Sequence, residues 1–137
     1  MKRYIALLAP TALVLLLLAA CSSQATPAAP AASSPEEVAR AFVTALGSWQ
    51  EPTLRRIALA SDATEMRLSS QRGQWRGWTE DRLGPQQSVA ITESTVEGDR
   101  AALVVRSLHT KGESGVRLAM QQVDGNWRVE AWDSYRP

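Results

Sequence analysis

Val116-Arg117-Leu118-Ala119-Met120-Gln121-Gln122-Val123-Asp124-Gly125-Asn126-Trp127-Arg128-Val129 carries the pattern that decides the fold. Val116, Leu118 and Met120 recur at every second position, the spacing of a strand with one buried face. Asp124-Gly125 then offers two residues that tolerate positive φ, which a tight hairpin turn requires, and Trp127, Val129 and Ala131 resume the alternation. The stretch predicts an antiparallel hairpin. Upstream, Arg100–His109 contains Leu103-Val104-Val105, apolar on both faces as a central strand is. Residues 112–115, with glycine at both ends, read as a flexible turn. A further strand over 88–96, carrying Val89 and Ile91, turns at Gly98-Asp99. Four strands on short turns make an antiparallel meander.

The chain ahead of the strands reads as helical. Ser34 is an N-cap, Pro35 suits the first helical position, and Glu37 completes a capping box. Val38, Phe42, Ala45, Leu46 and Trp49 form one apolar helical face, ending near Gly47-Ser48. A second helix opens at Glu51-Pro52 and carries Leu54, Ile57 and Ala58. A third starts at Ser61-Asp62, with Glu65 as a weaker capping partner and Met66 facing inward. Between Gln71 and Pro85 the pattern lapses, and Gly73, Gly77, Gly84 and Pro85 mark a loop or a broken helix.

The N-terminal segment concerns location. Met1-Lys2-Arg3 is a basic start, residues 4–18 are apolar apart from Pro10 and Thr11, and small residues follow, the layout of a secretory signal. Leu18-Ala19-Ala20-Cys21 resembles the lipobox of bacterial lipoproteins at all four positions. The resemblance implies cleavage before Cys21, a diacylglycerol on its sulfur and an acyl chain on the new amine, so palmitate labelling is expected. Three acyl chains hold a protein on a bilayer far better than the binding constant of roughly 10⁴ M⁻¹ given by a single myristoyl chain. The competing reading is an uncleaved anchor, since about 17 apolar residues is the lower limit for spanning. Ser22, where an inner-membrane retention signal would carry Asp, points to the outer membrane with the domain facing the periplasm in a Gram-negative host. The uncharged Ala/Pro/Ser stretch that follows cannot bury surface and reads as a disordered tether, reaching roughly 20 to 40 Å. The organisation expected is thus a signal peptide over 1–20, a lipidated cysteine and tether over 21–34, and one domain over 35–137.

Of 137 residues, the 104 from Ser34 onward suffice for one domain and not for two. The chain holds 15 basic and 14 acidic residues; without Lys2 and Arg3 the balance is 13 to 14, a net charge of −1. A nucleic-acid binder would need a basic surface. With one cysteine there is no internal disulfide and no thiolate metal cluster.

Two or three helices followed by a meander resemble the nuclear transport factor 2-like cone fold. The opening Pro35-Glu36-Glu37-Val38-Ala39-Arg40-Ala41-Phe42 and the closing Val123-Asp124-Gly125-Asn126-Trp127-Arg128-Val129 are similar to small bacterial lipoproteins of that group with unassigned function. The resemblance covers about residues 35–133 and implies an α+β domain with its helices packed on a curved four-stranded antiparallel sheet. Other small α+β domains, of cystatin-like or secretin-associated kind, are the rival architectures.

No constellation for chemistry is read. His109, the only histidine, is expected on the surface at a hairpin end; neither further histidines nor a carboxylate cluster at ligand spacing accompanies it, so no metal is assigned. There is no Gly-x-Ser-x-Gly elbow. Glu80-Asp81, beside Arg76 and Arg82, reads as a solvated ion cluster. Some cone-fold proteins are isomerases or cyclases with a pocket Tyr–Asp or His–Asp pair. No catalytic residue transfers here, and no cofactor is expected; Asp62, Glu93 or His109 would have to serve. Of the five tryptophans, Trp49 and Trp127 are expected to fill the concave side of the sheet. Trp75, Arg76 and Trp78 are the candidate ligand or partner contacts, with core packing as the alternative for the two tryptophans. Six arginines between positions 55 and 82 suit a solvated helical face, or an anionic contact. The function expected is a lipid-anchored, non-catalytic envelope domain binding a protein partner or a small apolar ligand. The alternatives are a structural or immunity-type subunit of a secretion or envelope assembly, or a small isomerase or cyclase.

Overall fold

The computed structural model describes residues 33–137. Helices α1 (Pro35–Gly47), α2 (Glu51–Ile57) and α3 (Asp62–Trp75) come first, and a π-helix, Arg76–Leu83, continues α3. Strands β1 (Gln86–Glu97), β2 (Arg100–His109), β3 (Gly112–Val123) and β4 (Asn126–Tyr135) follow. They form one antiparallel sheet in the order β1-β2-β3-β4, leaving β1 and β4 at the edges. The expected signal peptide, the expected lipobox with Cys21 and most of the expected tether lie outside the described residues.

Local chemistry sets the helix boundaries. The Ser34 hydroxyl accepts from the Glu37 amide, and the Glu37 carboxylate accepts from the Ser34 amide, closing the capping box at 3.2 Å on each side. α1 turns Ala39, Phe42, Val43, Ala45 and Leu46 inward, with Val38 and Trp49 half-buried at its margins. α2 buries Leu54. Just beyond it, Ala58 forms a parallel bridge with Val129, and the Leu59 amide donates to the Val129 carbonyl at 2.8 Å.

Several expectations are corrected. Of the two readings for residues 71–85, the broken helix holds and the loop does not: α3 runs to Trp75 and its winding then loosens to i→i+5 as far as Leu83. Gly73 and Gly77 sit where an added Cβ would meet nothing within 4 Å, so no packing conflict stops the helix there. It stops at Gly84, whose φ of 72° ends helical geometry. Residues 112–115 belong to β3, and the turn is the shorter Thr110-Lys111 pair. Met66 points outward at 73% exposure. It lies two residues from each of the inward Thr64 and Leu68, about 200° around the helix and so on the opposite face. Glu65 pairs with Arg55 rather than capping α3, and the Ser61 hydroxyl accepts instead from the Thr64 amide at 3.2 Å.

The expected hairpin forms with Asp124 at φ 51° and Gly125 at φ 77°, the two positive values its two-residue turn demands. Trp127 and Val129 face inward as expected, but Ala131 does not. The register passes from Met120↔Val129 to Ala119↔Ala131, so Glu130 is a bulge residue and the alternation reverses, bringing Trp132 inside. Two further irregularities bend β1. On the concave side, Leu103, Val105, Val116, Leu118, Met120 and Val129 meet Phe42 and Leu46 of α1, Leu54 of α2 and Leu68 of α3. Trp132 is the largest fully buried side chain, and its ring meets Phe42 edge-on at 5.1 Å.

Candidate functional site

α3 reaches the sheet through one side of its surface, and its junction with β4 is polar. The Trp132 indole N–H donates to Gln71 Oε1 at 2.8 Å. The Arg67 guanidinium donates to the Trp132 carbonyl and lies 5.3 Å from the centre of the same indole ring. Beside this junction runs a broad open groove of about 990 Å³, walled by Ala63, Met66 and Ser70 of α3 and by Asp133 of β4. Gln71 and Asp133 also line a narrower cleft of about 250 Å³, completed by Gln74, Trp75 and Ser134. The Ser134 hydroxyl oxygen is buried without a hydrogen-bond partner. Asp133 faces Arg117 across the sheet at 3.8 Å, and the Arg117 guanidinium stacks 4.2 Å from the Tyr135 ring.

Of the three residues singled out in sequence, Trp75 is 6% exposed and part of the core cluster, so it holds the end of α3 while edging the narrow cleft. Arg76 and Trp78 fall in the first turn of the π-helix directly after it, an element that is rare and often found at functional sites. Met66 reads in the sequence as an inward residue, and Gln71, Asp133 and Ser134 carry no signal there. The bulge at Glu130 positions the last two, and nothing in the residue types announces a bulge.

Two of the six arginines in the window, Arg55 and Arg72, face carboxylates. Arg55 binds Glu51 at 2.9 Å and also Glu65, and Arg72 lies 3.8 Å from Glu51. The hydrogen bond from Arg55 holds the Glu51 carboxyl below its ordinary value. Exposed pairs of this kind dress a solvated surface.

At the other end of the sheet, His109 is 3% exposed, not the surface residue expected. Its Nδ1 lies 3.0 Å from the Gly84 carbonyl, which can only accept, so Nδ1 carries the proton. Nε2 then accepts from the Ser114 hydroxyl at 3.0 Å. The Lys111 amide donates to the Leu83 carbonyl at 2.9 Å and the Thr110 amide to the Pro85 carbonyl at 3.1 Å. Together these bonds latch the β2–β3 turn onto the end of the π-helix. The contact resembles half of a serine–histidine pair, but Ser114 is 1% exposed and the geometry serves the latch. Among the described residues no group of three His, Cys, Asp or Glu side chains is placed to hold a metal ion. None of the described helices is long and apolar enough to cross a membrane.

No protein-family model matches the chain, and a search of curated proteins found no match. Solved structures do resemble it. A Campylobacter jejuni protein provisionally named an NTF2-like transpeptidase superposes with a TM-score of 0.61 at 21% identity, covering 72% of this chain and 99% of that one. A Thiobacillus denitrificans protein, provisionally a calcium/calmodulin-dependent protein kinase type II association domain, gives 0.61 at 11% identity over 80% and 99%. A chain of the Ralstonia pickettii type VI effector–immunity complex Tae3–Tai3 gives 0.50 at 20% identity over 75% and 98%. The chain has the nuclear transport factor 2-like fold. At these identities the likeness concerns the fold alone, and neither transpeptidase nor kinase-association chemistry passes to this protein with it.

Proposed function

We propose that this protein is an envelope lipoprotein, anchored through Cys21, whose NTF2-like domain binds a protein partner along the groove between α3 and β4 without catalysing a reaction. One observation carries the reading. The concave side of the sheet, where a small apolar ligand would be enclosed, is packed by Phe42, Leu46, Met120 and Trp132, each 2% exposed or less. The open surface lies outside, along α3, where Met66 is presented to solvent. Met is enriched in protein–protein interfaces, and here it lies in a groove beside hydrogen-bonding groups. The effector–immunity complex among the similar folds favours the same class of partner, and an immunity-type role is the particular form it suggests.

The test is site-directed photocrosslinking in cells, with the photoreactive residue at Met66 or Ser70 in the groove and, for comparison, at Val96 on β1. A discrete protein adduct from the groove positions alone is the expected result. Adducts of equal yield from Val96, or none from the groove, would overturn the reading.

A further inference from the structure

Each edge of the sheet carries an arginine on an outward carbonyl and a register irregularity; what sets β4 apart is the added pair of residues it already takes, Ala58 and Leu59. On β1, the Arg40 guanidinium donates to the edge carbonyl of Val89 at 2.9 Å, and register irregularities fall at 86–88 and 91–93. On β4, the outward carbonyls are identified by their partners: Val129 accepts from the Leu59 amide and Trp132 from Arg67. In an antiparallel strand, outward-facing backbone groups recur at every second residue. Past the bulge, the N–H and C=O of Ser134 therefore face outward as well.

The first half of this edge already accepts an addition. Ala58 and Leu59 pair with Val129 in parallel, as a two-residue extra strand. That cover ends before Trp132, where the groove against α3 begins. We propose that the edge of β4 from Trp132 to Tyr135 is a strand-addition site for an extended segment of a partner protein, which continues the line begun by Ala58 and Leu59. The segment pairs its backbone with Ser134. Alternate side chains then fall to one side. An apolar one lies against Met66, and a hydrogen-bonding one enters the cleft beside Gln74, where the buried Ser134 hydroxyl is without a partner. This rests on the partner-binding reading above and names its mode.

The probe is a library of short linear peptides displayed on phage and selected on the full-length lipoprotein in detergent. Selected peptides are expected to slow hydrogen exchange at the Ser134 amide. They should bind about tenfold more weakly to Ser134→Pro, which removes an edge donor, and to Met66→Asp, the weight of one or two neutral hydrogen bonds or a small apolar contact. Val96→Asp, on the opposite edge strand, should leave binding unchanged. Should Ser134→Pro fail to fold, Met66→Asp carries the test, because that side chain lies in solvent. Peptides that protect β1 or the π-helix instead, affinities untouched by Met66→Asp, or a library yielding no binder would each overturn the proposal. A groove crosslink to an envelope protein that persists in both variants would overturn the edge-pairing mode while leaving the partner-binding reading standing.

Discussion

Ser94 on β1 donates a hydrogen bond to the Glu36 carboxylate at 2.6 Å, tying the first turn of α1 to the sheet. That bond is the main reason the Glu36 carboxyl is held below its ordinary value of 4.5. A carboxyl depressed in the folded state stabilises above its unfolded value, and the contribution is lost as pH falls through the folded one. Ser94→Ala should therefore lower the urea midpoint slightly at neutral pH. The difference should vanish in acid below the carboxylate range, and a gap that persists there would contradict the linkage. His109 makes a larger case. Replacing it by Ala strands the Gly84 carbonyl and the Ser114 hydroxyl inside the protein, at an expected cost of about 2–3 kcal/mol. Thermal unfolding with faster exchange at the Lys111 amide would show that the latch has opened. Its place at a hairpin end, beside a glycine-rich stretch, makes His109 look like a surface residue. The information lay instead in its partners, one from the end of the π-helix and one from β3, which only the folded chain brings together.

At the scale of elements, what could be read depended on how locally each was determined. α1 follows from Ser34, Pro35 and Glu37 and from an apolar face of ordinary period, so its start and end are both visible in the residues. The β3–β4 hairpin follows from Asp124-Gly125. The start of α3 is legible at Ser61-Asp62, but its inward face and its end are not, because the inward residues are only Thr64, Leu68 and Trp75, and the polar residues between them leave little amphipathic pattern. Its hold on β4 runs through Arg67, Gln71 and Trp132, a contact that exists because the bulge at Glu130 reverses the strand. Trp132→Ala should accordingly cost about 3–5 kcal/mol, as deletions of buried aromatics do. Met66→Asp, on the opposite face of α3, should change stability by less than about 0.5 kcal/mol. Equal losses in denaturant titrations of the two variants would contradict the assigned faces of the helix. The groove was illegible for the same reason: its β4 wall, Asp133 and Ser134, is set by a bulge without a residue signature.

For the molecule as a whole, the fold of the domain is seen in the structure, and the proposed anchor is read from sequence. The domain is held by a core shared between α1 and all four strands, and residues 33 and 34 contribute only a cap to it. In the sequence, an uncharged stretch with two prolines and no large apolar residue separates Cys21 from Ser33. Anchoring and folding should therefore separate cleanly. Cys21→Ser removes the only thiol, and a hydroxyl does not take the thioether-linked lipid, so palmitate incorporation should fall to background and precursor should accumulate. The same variant, purified, should melt at the temperature of the unchanged protein, because Cys21 lies 14 residues from the start of α1. Labelling that persists would end the lipoprotein reading. A lowered melting temperature would mean that the segment before Ser33 packs on the domain, and the groove beside Met66 would then be the first place to look for it.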